Sequence, residues 1–208
     1  FIYFKIVGGT ELNPFNTLDI NTLIQKVFVS EFQKPSPMIT QIYSIKFLSY
    51  FRLQISQDYL QTVFQMLITL LNGNYPNETK SAVLLALDKI LFMKKVGSKE
   101  YISKTIVNNQ DMFNQLAGAV VNMLNLGFDS FAMRCFFRLL FLAEANYIAF
   151  LSDTLATKMN EILANIINKK GKEAGEFIFY FFEATSLIAF SHNLCAIPFM
   201  LFTILLTI

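Results

Sequence analysis

Apolar residues recur at steps of three and four along much of the chain, and polar turn residues separate the resulting stripes. Leu60, Val63, Leu67 and Leu70 form one stripe, closed by Asn72, Gly73, Asn74 and Pro76. Val83, Leu84, Leu87, Ile90 and Leu91 form the next. Phe113, Leu116, Val120, Met123 and Leu124 form a third, closed by Gly127, and Ile148, Leu151, Leu155, Met159, Ile162 and Ile166 form a fourth, running up to Lys169, Lys170 and Gly171. Each pattern predicts an amphipathic helix. Residues 38–53, 131–142 and 177–190 are instead apolar on nearly every side, which predicts helices sandwiched between neighbours or placed in lipid.

The all-round apolar segments 38–53 and 131–142 are each followed by an amphipathic one. First members of successive pairs begin near Met38, Thr79, Asp129 and Ala174, so the separations are 41, 50 and 45 residues. That spacing brackets the roughly 40 to 47 residues of HEAT and armadillo repeats, in which an antiparallel helix pair buries its apolar face only by stacking on its neighbours. The expected fold is therefore all-α, an α-solenoid of HEAT-type antiparallel helix pairs. The pairs fall near residues 36–72, 76–126 and 129–168, and the first helix of a further pair lies at 173–190. The long middle spacing has a local cause, because residues 94–109 are polar, contain Gly97 and Ser98, and read as a loop inserted between two helices.

Composition supports helices and narrows the function. The 208 residues are 54% hydrophobic and 15% charged, with 23 Phe, 8 Gly and 5 Pro, which excludes disorder and disfavours turn-dense sandwiches and barrels. Seventeen basic against fifteen acidic residues give a net charge of +2, with no basic stripe for nucleic acid. Cys135 and Cys195 lie inside apolar runs and read as small core hydrophobes in a reducing compartment. The chain begins at Phe1 without the basic n-region of a signal peptide and reads as a fragment of a longer protein.

Templates for catalysis find nothing to build on. Neither a metal set nor a nucleophile–base pair assembles around His192 from local spacing, since no Asp or Glu is close and Cys195 reads as a core residue, and the turns Gly8-Gly9-Thr10 and Gly171-Lys172-Glu173 lack the glycine spacing and the following Lys-Ser/Thr of a phosphate loop. Asp153 and Glu161 read as a solvated helix face. The expectation is a non-enzyme without cofactor or metal. Asn77-Glu78-Thr79 fits the glycosylation triplet but reads as a helix cap, with Asn77 or its neighbour accepting hydrogen bonds from free backbone amides.

Partner contact has better candidates. Arg134 and Arg138 sit four apart on an otherwise apolar helix and must reach solvent, a carboxylate such as Glu144, or a partner protein. Lys94, Lys95, Lys99 and Lys104 make the inserted loop basic and suited to an acidic partner. Residues 184–208 hold no Asp, Glu, Lys or Arg and are long enough to span a bilayer, but His192-Asn193 and Pro198 break the run. A tail-anchored membrane protein is thus one alternative reading, and a HEAT or armadillo scaffold is another.

The segments, in order, resemble the importin-β-type HEAT-repeat nuclear transport receptors, in particular those that return importin-α to the cytoplasm. The resemblance is carried by the run from Ile42 through Phe51-Arg52, by Ala86-Leu87-Asp88-Lys89-Ile90-Leu91-Phe92-Met93 and by Met133-Arg134-Cys135-Phe136-Phe137-Arg138-Leu139-Leu140. It continues through residues 147–167 and 175–188, where Phe182-Glu183-Ala184 matches well. About residues 19–188 are covered, and 189–208 form an apolar tail that departs from the family. The resemblance implies an export receptor segment that binds importin-α cargo together with Ran in its GTP state and shuttles between nucleus and cytoplasm. It also places the nucleotide on Ran, not on this chain.

Overall fold

A computed structural model describes residues 19–92, 105, 109–127, 129–142, 175–176 and 178–183, and regular structure among them is helical, with no strand. The all-α class is therefore as expected. The chain divides into two compact units, Phe1–Ala119 and Val120–Ile208.

In the first unit, α1 starts on Asp19, whose carboxylate accepts hydrogen bonds from the amides of Asn21 and Thr22. It runs through Ile20–Ile24, a π-helical turn Gln25–Val29, and Ser30–Phe32. At the π turn the Ser30 amide donates to the Gln25 carbonyl, and the Ser30 hydroxyl donates to the Lys26 carbonyl. The wider turn admits one extra residue, which brings both Phe28 and Val29 into the core. The hydrophobic stripes named above did not include this helix.

Helix α2, Met38–Tyr50, is entered from Pro37 and followed by a 3-10 turn at Arg52–Gln54. The apolar run to residue 53 is thus helical only as far as Tyr50. Its buried serines cost little, because the hydroxyls of Ser44 and Ser49 donate to the carbonyls of Gln41 and Lys46, each at 2.8 Å. Helix α3 is Gln57–Asn72, and the stripe Leu60, Val63, Leu67, Leu70 is buried as expected. Helix α4 is Asn77–Leu91, with Val83, Leu84, Leu87, Ile90 and Leu91 buried.

The expected Asn77 cap is overturned. Pro76 takes the capping position, its carbonyl accepts from the Lys80 amide at 3.1 Å, and no side chain caps the helix. Proline wins because its fixed φ is ready for the helix entry and it brings no amide of its own to satisfy. Asn77 becomes the first helical residue, and Thr79 is fully buried.

Helix α5, Gln110–Asn125, opens with the Asn109 side chain accepting from the Met112 amide at 3.0 Å and runs across the boundary between the units. It ends at Gly127, whose φ of 89° is the left-handed conformation that glycine adopts without strain. In the second unit, α6 is Asp129–Leu142, and residues 175–176 and 178–183 are helical. Ala132, Met133, Cys135, Phe136, Leu139 and Leu140 of α6 are buried, and so is Phe181. The fourth stripe, residues 148–166, lies outside the described residues, as do His192, Cys195 and the 189–208 tail.

Two neighbour relationships organise the first unit. Asn21 donates to the Ser56 hydroxyl at 2.8 Å and Tyr59 donates to the Gln25 side chain at 2.7 Å, so the first turns of α1 and α3 meet and advance in the same direction there. Likewise Thr79 donates to the Gln41 side chain at 3.4 Å near the start of α2 and α4, while the Lys89 ammonium lies 5.5 Å from the Tyr50 ring centroid near their ends. Those two helices are parallel as well, and α2 packs more extensively on α4 than on any other described helix. Gln65 of α3 donates to Gln115 of α5 at 3.3 Å. The apolar α2 is not sandwiched throughout. Its N-terminal part leaves Met38, Ile39 and Tyr43 exposed at 41%, 55% and 49%.

Candidate functional site

The parallel packing of α2 and α4 leaves a groove of about 380 Å³ along their outer side. Its α2 wall is Ile42, Lys46, Ser49 and Tyr50, positions that one helix face presents together; its α4 wall includes Ser81, Ala82, Leu85 and Ala86. Small side chains explain the depression. Ser49, Ala82 and Ala86 project too little to fill the space between the helices.

The groove is electrically lopsided. Glu78, in the first turn of α4, lies at one end, and Lys89, in the last turn, lies at the other beside Tyr50. Lys46 is on the opposite wall, its ammonium 5.4 Å from the Tyr43 ring centroid. Both lysines thus rest on tyrosine faces, which favours a defined position for each cation while it stays exposed. Exposed Ile39, Tyr43 and Leu85 continue the apolar character of this surface along the same two helices.

Asp19, Tyr59 and Arg52 carry shifted titration. Hydrogen bonds from the Thr22 hydroxyl and amide, and from the Asn21 amide, hold the Asp19 carboxyl below its ordinary range against a small opposing effect of burial. Burial, and then the nearby Asp19 charge, pushes the Tyr59 phenol up. Burial alone lowers Arg52, whose guanidinium donates to the Ser49 carbonyl at 2.9 Å. These shifts belong to helix ends and packing. Among the described residues, no three His, Cys, Asp or Glu side chains converge to hold a metal ion.

The residues singled out from sequence lie elsewhere. Lys94, Lys95, Lys99 and Lys104 fall outside the described residues, as does Glu144, the carboxylate considered for Arg134. Arg134 and Arg138 are half-buried on α6. The Arg134 guanidinium lies 5.7 Å from the Tyr180 ring centroid, and Phe137 stacks on the same ring at 5.7 Å. Arg134 therefore joins a packing contact within the second unit. Cys135 is fully buried, in keeping with its reading as a core residue.

No helix among the described residues is long and apolar enough to cross a membrane. No family model, curated protein or solved structure matches the chain.

Proposed function

We propose that the chain is a non-enzymatic, protein-binding segment of a HEAT-type helical solenoid, of the exportin-2 kind that carries importin-α out of the nucleus with Ran-GTP. The observation that carries the solenoid is the parallel alignment of alternate helices: α2 packed along α4, with the first turns of α1 and α3 also running in the same direction. Successive helices that reverse direction while alternate ones stack in parallel are the packing rule of repeat arrays. In the second unit Tyr180 meets Arg134 and Phe137 of α6 across more than forty residues of chain, a long-range contact that is compatible with the same packing.

Support for the transport reading comes from sequence order. The strings 86–93 and 133–140 that carry the resemblance lie largely on α4 and α6, the first members of their pairs. A solenoid acts by wrapping its partners, so Ran-GTP and importin-α would each stabilise the curvature the other needs, and their binding would be cooperative. The residues that touch either partner are expected on exposed helix faces and loops, with Lys94, Lys95, Lys99 and Lys104 as the basic candidates.

A pull-down with the full-length protein tests this. Importin-α retained with Ran-GTP, and released with Ran-GDP or without Ran, is the expected result. Equal retention in all three conditions would instead favour a HEAT or armadillo scaffold without Ran dependence.

A further inference from the structure

We propose that Asn72 is a site of spontaneous deamidation, converting to aspartate and isoaspartate at a rate set by the packing of Tyr75 on Gly73 and Phe32. The inference concerns the end of α3 alone and does not depend on Ran or on transport.

The chemistry needs a neighbour and water. Asn72 and Gly73 form the one Asn-Gly pair in the sequence, and Asn72 is exposed as the last residue of α3. The Gly73 amide nitrogen gives its proton to hydroxide and attacks the side-chain carbonyl carbon of Asn72. A new N–C bond closes a succinimide ring, the bond from that carbon to Nδ2 breaks, and the nitrogen leaves as ammonia with a proton from water, which regenerates hydroxide. Water then opens the ring at either carbonyl. One opening gives aspartate and the other isoaspartate, whose main chain runs through the former side chain. Glycine has no Cβ to hinder the approach of its nitrogen.

The fold holds that nitrogen back. The Gly73 amide donates to the Thr69 carbonyl at 2.9 Å, and the Gly73 carbonyl accepts from the Tyr75 amide at 3.0 Å. The Tyr75 ring lies so close that a Cβ on Gly73 would stand 2.8 Å from it, and the same ring is packed edge-on to Phe32 of α1 at 5.8 Å. Attack therefore waits for the last turn of α3 to open, a local event that costs less than global unfolding. The products fit the closed turn poorly. A carboxylate at the C-terminus of α3 opposes the helix dipole, and isoaspartate adds one main-chain carbon between Thr69 and Tyr75. The join between α1 and the end of α3 thus loosens as the chain ages.

The 208-residue chain, incubated at mildly alkaline pH both folded and in guanidinium chloride, tests the proposal. Mass spectrometry of the peptide that contains Asn72 follows the exchange of its amide for a carboxyl group. The folded chain is expected to convert about tenfold to a hundredfold more slowly than the unfolded one. Tyr75→Ala should speed conversion in the folded chain by about threefold or more, whereas Tyr75→Phe, which keeps the ring, should leave the rate unchanged. Thermal melts by circular dichroism establish that both variants are folded. Equal rates in folded and unfolded wild-type chain overturn the proposal, a comparison that needs no variant to fold. So does a folded chain that keeps its Asn72 amide through about a hundred unfolded half-lives, or a folded Tyr75→Ala variant that converts no faster than wild type.

Discussion

The Lys89 ammonium of α4 lies 5.5 Å from the centre of the Tyr50 ring of α2, and this contact sets the direction of two helices. With Thr79 and Gln41 meeting near the opposite ends, α2 and α4 can only run parallel. A parallel pair needs a third helix to bring the chain back, and α3 supplies it. The groove, the two lysines on its walls and the stacking of alternate helices all follow from that arrangement.

Gly73 is required by close approach and not by its backbone angles. A Cβ there would stand 2.8 Å and 2.9 Å from the Tyr75 ring and 3.0 Å from the Thr69 carbonyl, and the Tyr75 ring is itself packed edge-on to Phe32 at 5.8 Å. Gly73→Ala is expected to cost about 1–2 kcal/mol, read as a lower urea midpoint. Gly118, mid-helix in α5 and exposed, has nothing within 4 Å, so Gly118→Ala should raise stability by about 0.5–1 kcal/mol. Equal effects at the two sites would contradict the geometry.

Gly127 presents the reverse case, open space but a φ of 89°. Gly127→Ala is expected to lower stability by about 1 kcal/mol through backbone strain, while Gly127→Asn, which tolerates that conformation better, should lose less. Denaturant titration of the two variants checks the order.

The Asp19 carboxyl is held below its ordinary range by the Thr22 hydroxyl and the Thr22 and Asn21 amides, so the charged form is favoured in the folded state. The contribution to α1 is present above the unfolded carboxyl value of about 4 and is lost as pH falls through the lower folded value. Hydrogen exchange at the Asn21 and Thr22 amides, corrected for intrinsic rates, should therefore lose protection below about pH 4. Asp19→Ala should remove that pH step.

In the second unit, Tyr180 receives both Arg134 and Phe137. A double-mutant cycle of Arg134→Gln and Tyr180→Leu is expected to give a coupling of about 0.5–1 kcal/mol in favour of the wild-type pair. A coupling of zero would mean that the guanidinium lies over the ring without stabilising it.

Much of the helical content is legible from spacing, because α3, α4 and α5 each bury one stripe: Leu60 to Leu70, Val83 to Leu91 and Phe113 to Leu124. Helix α1 escapes that reading because its π turn shifts the phase, so Ile20, Ile24 and Phe28 are followed by Val29, outside a regular period. Helix α2 is apolar all round, so local pattern does not tell its buried side, Ile45 and Leu48, from exposed Ile39 and Tyr43; packing on α4 decides it. At Asn77 the capping preference of the side chain lost to the rigid proline before it. The groove needs α2 and α4 to pair, which brings onto facing walls residues such as Ile42 and Leu85 that lie more than forty positions apart in sequence. Once α2 and α4 are paired, the helical spacing of Ile42, Lys46 and Tyr50, and of Glu78, Ala82, Leu85 and Lys89, marks it.

The parallel stacking of alternate helices underlies both the proposed solenoid and the groove, and distances between spin labels test it most directly. Labels are placed at exposed Ile39 paired with Glu78, and at Ile39 paired with Lys89, in a chain whose Cys135 and Cys195 are replaced by alanine. Eleven helical residues separate Glu78 from Lys89, about 16 Å along α4. Pulsed electron–electron resonance should give a mean distance for Ile39–Lys89 longer than that for Ile39–Glu78 by roughly 10 Å. Equal distances, or a shorter Ile39–Lys89 distance, would contradict the parallel arrangement and the repeat packing built on it.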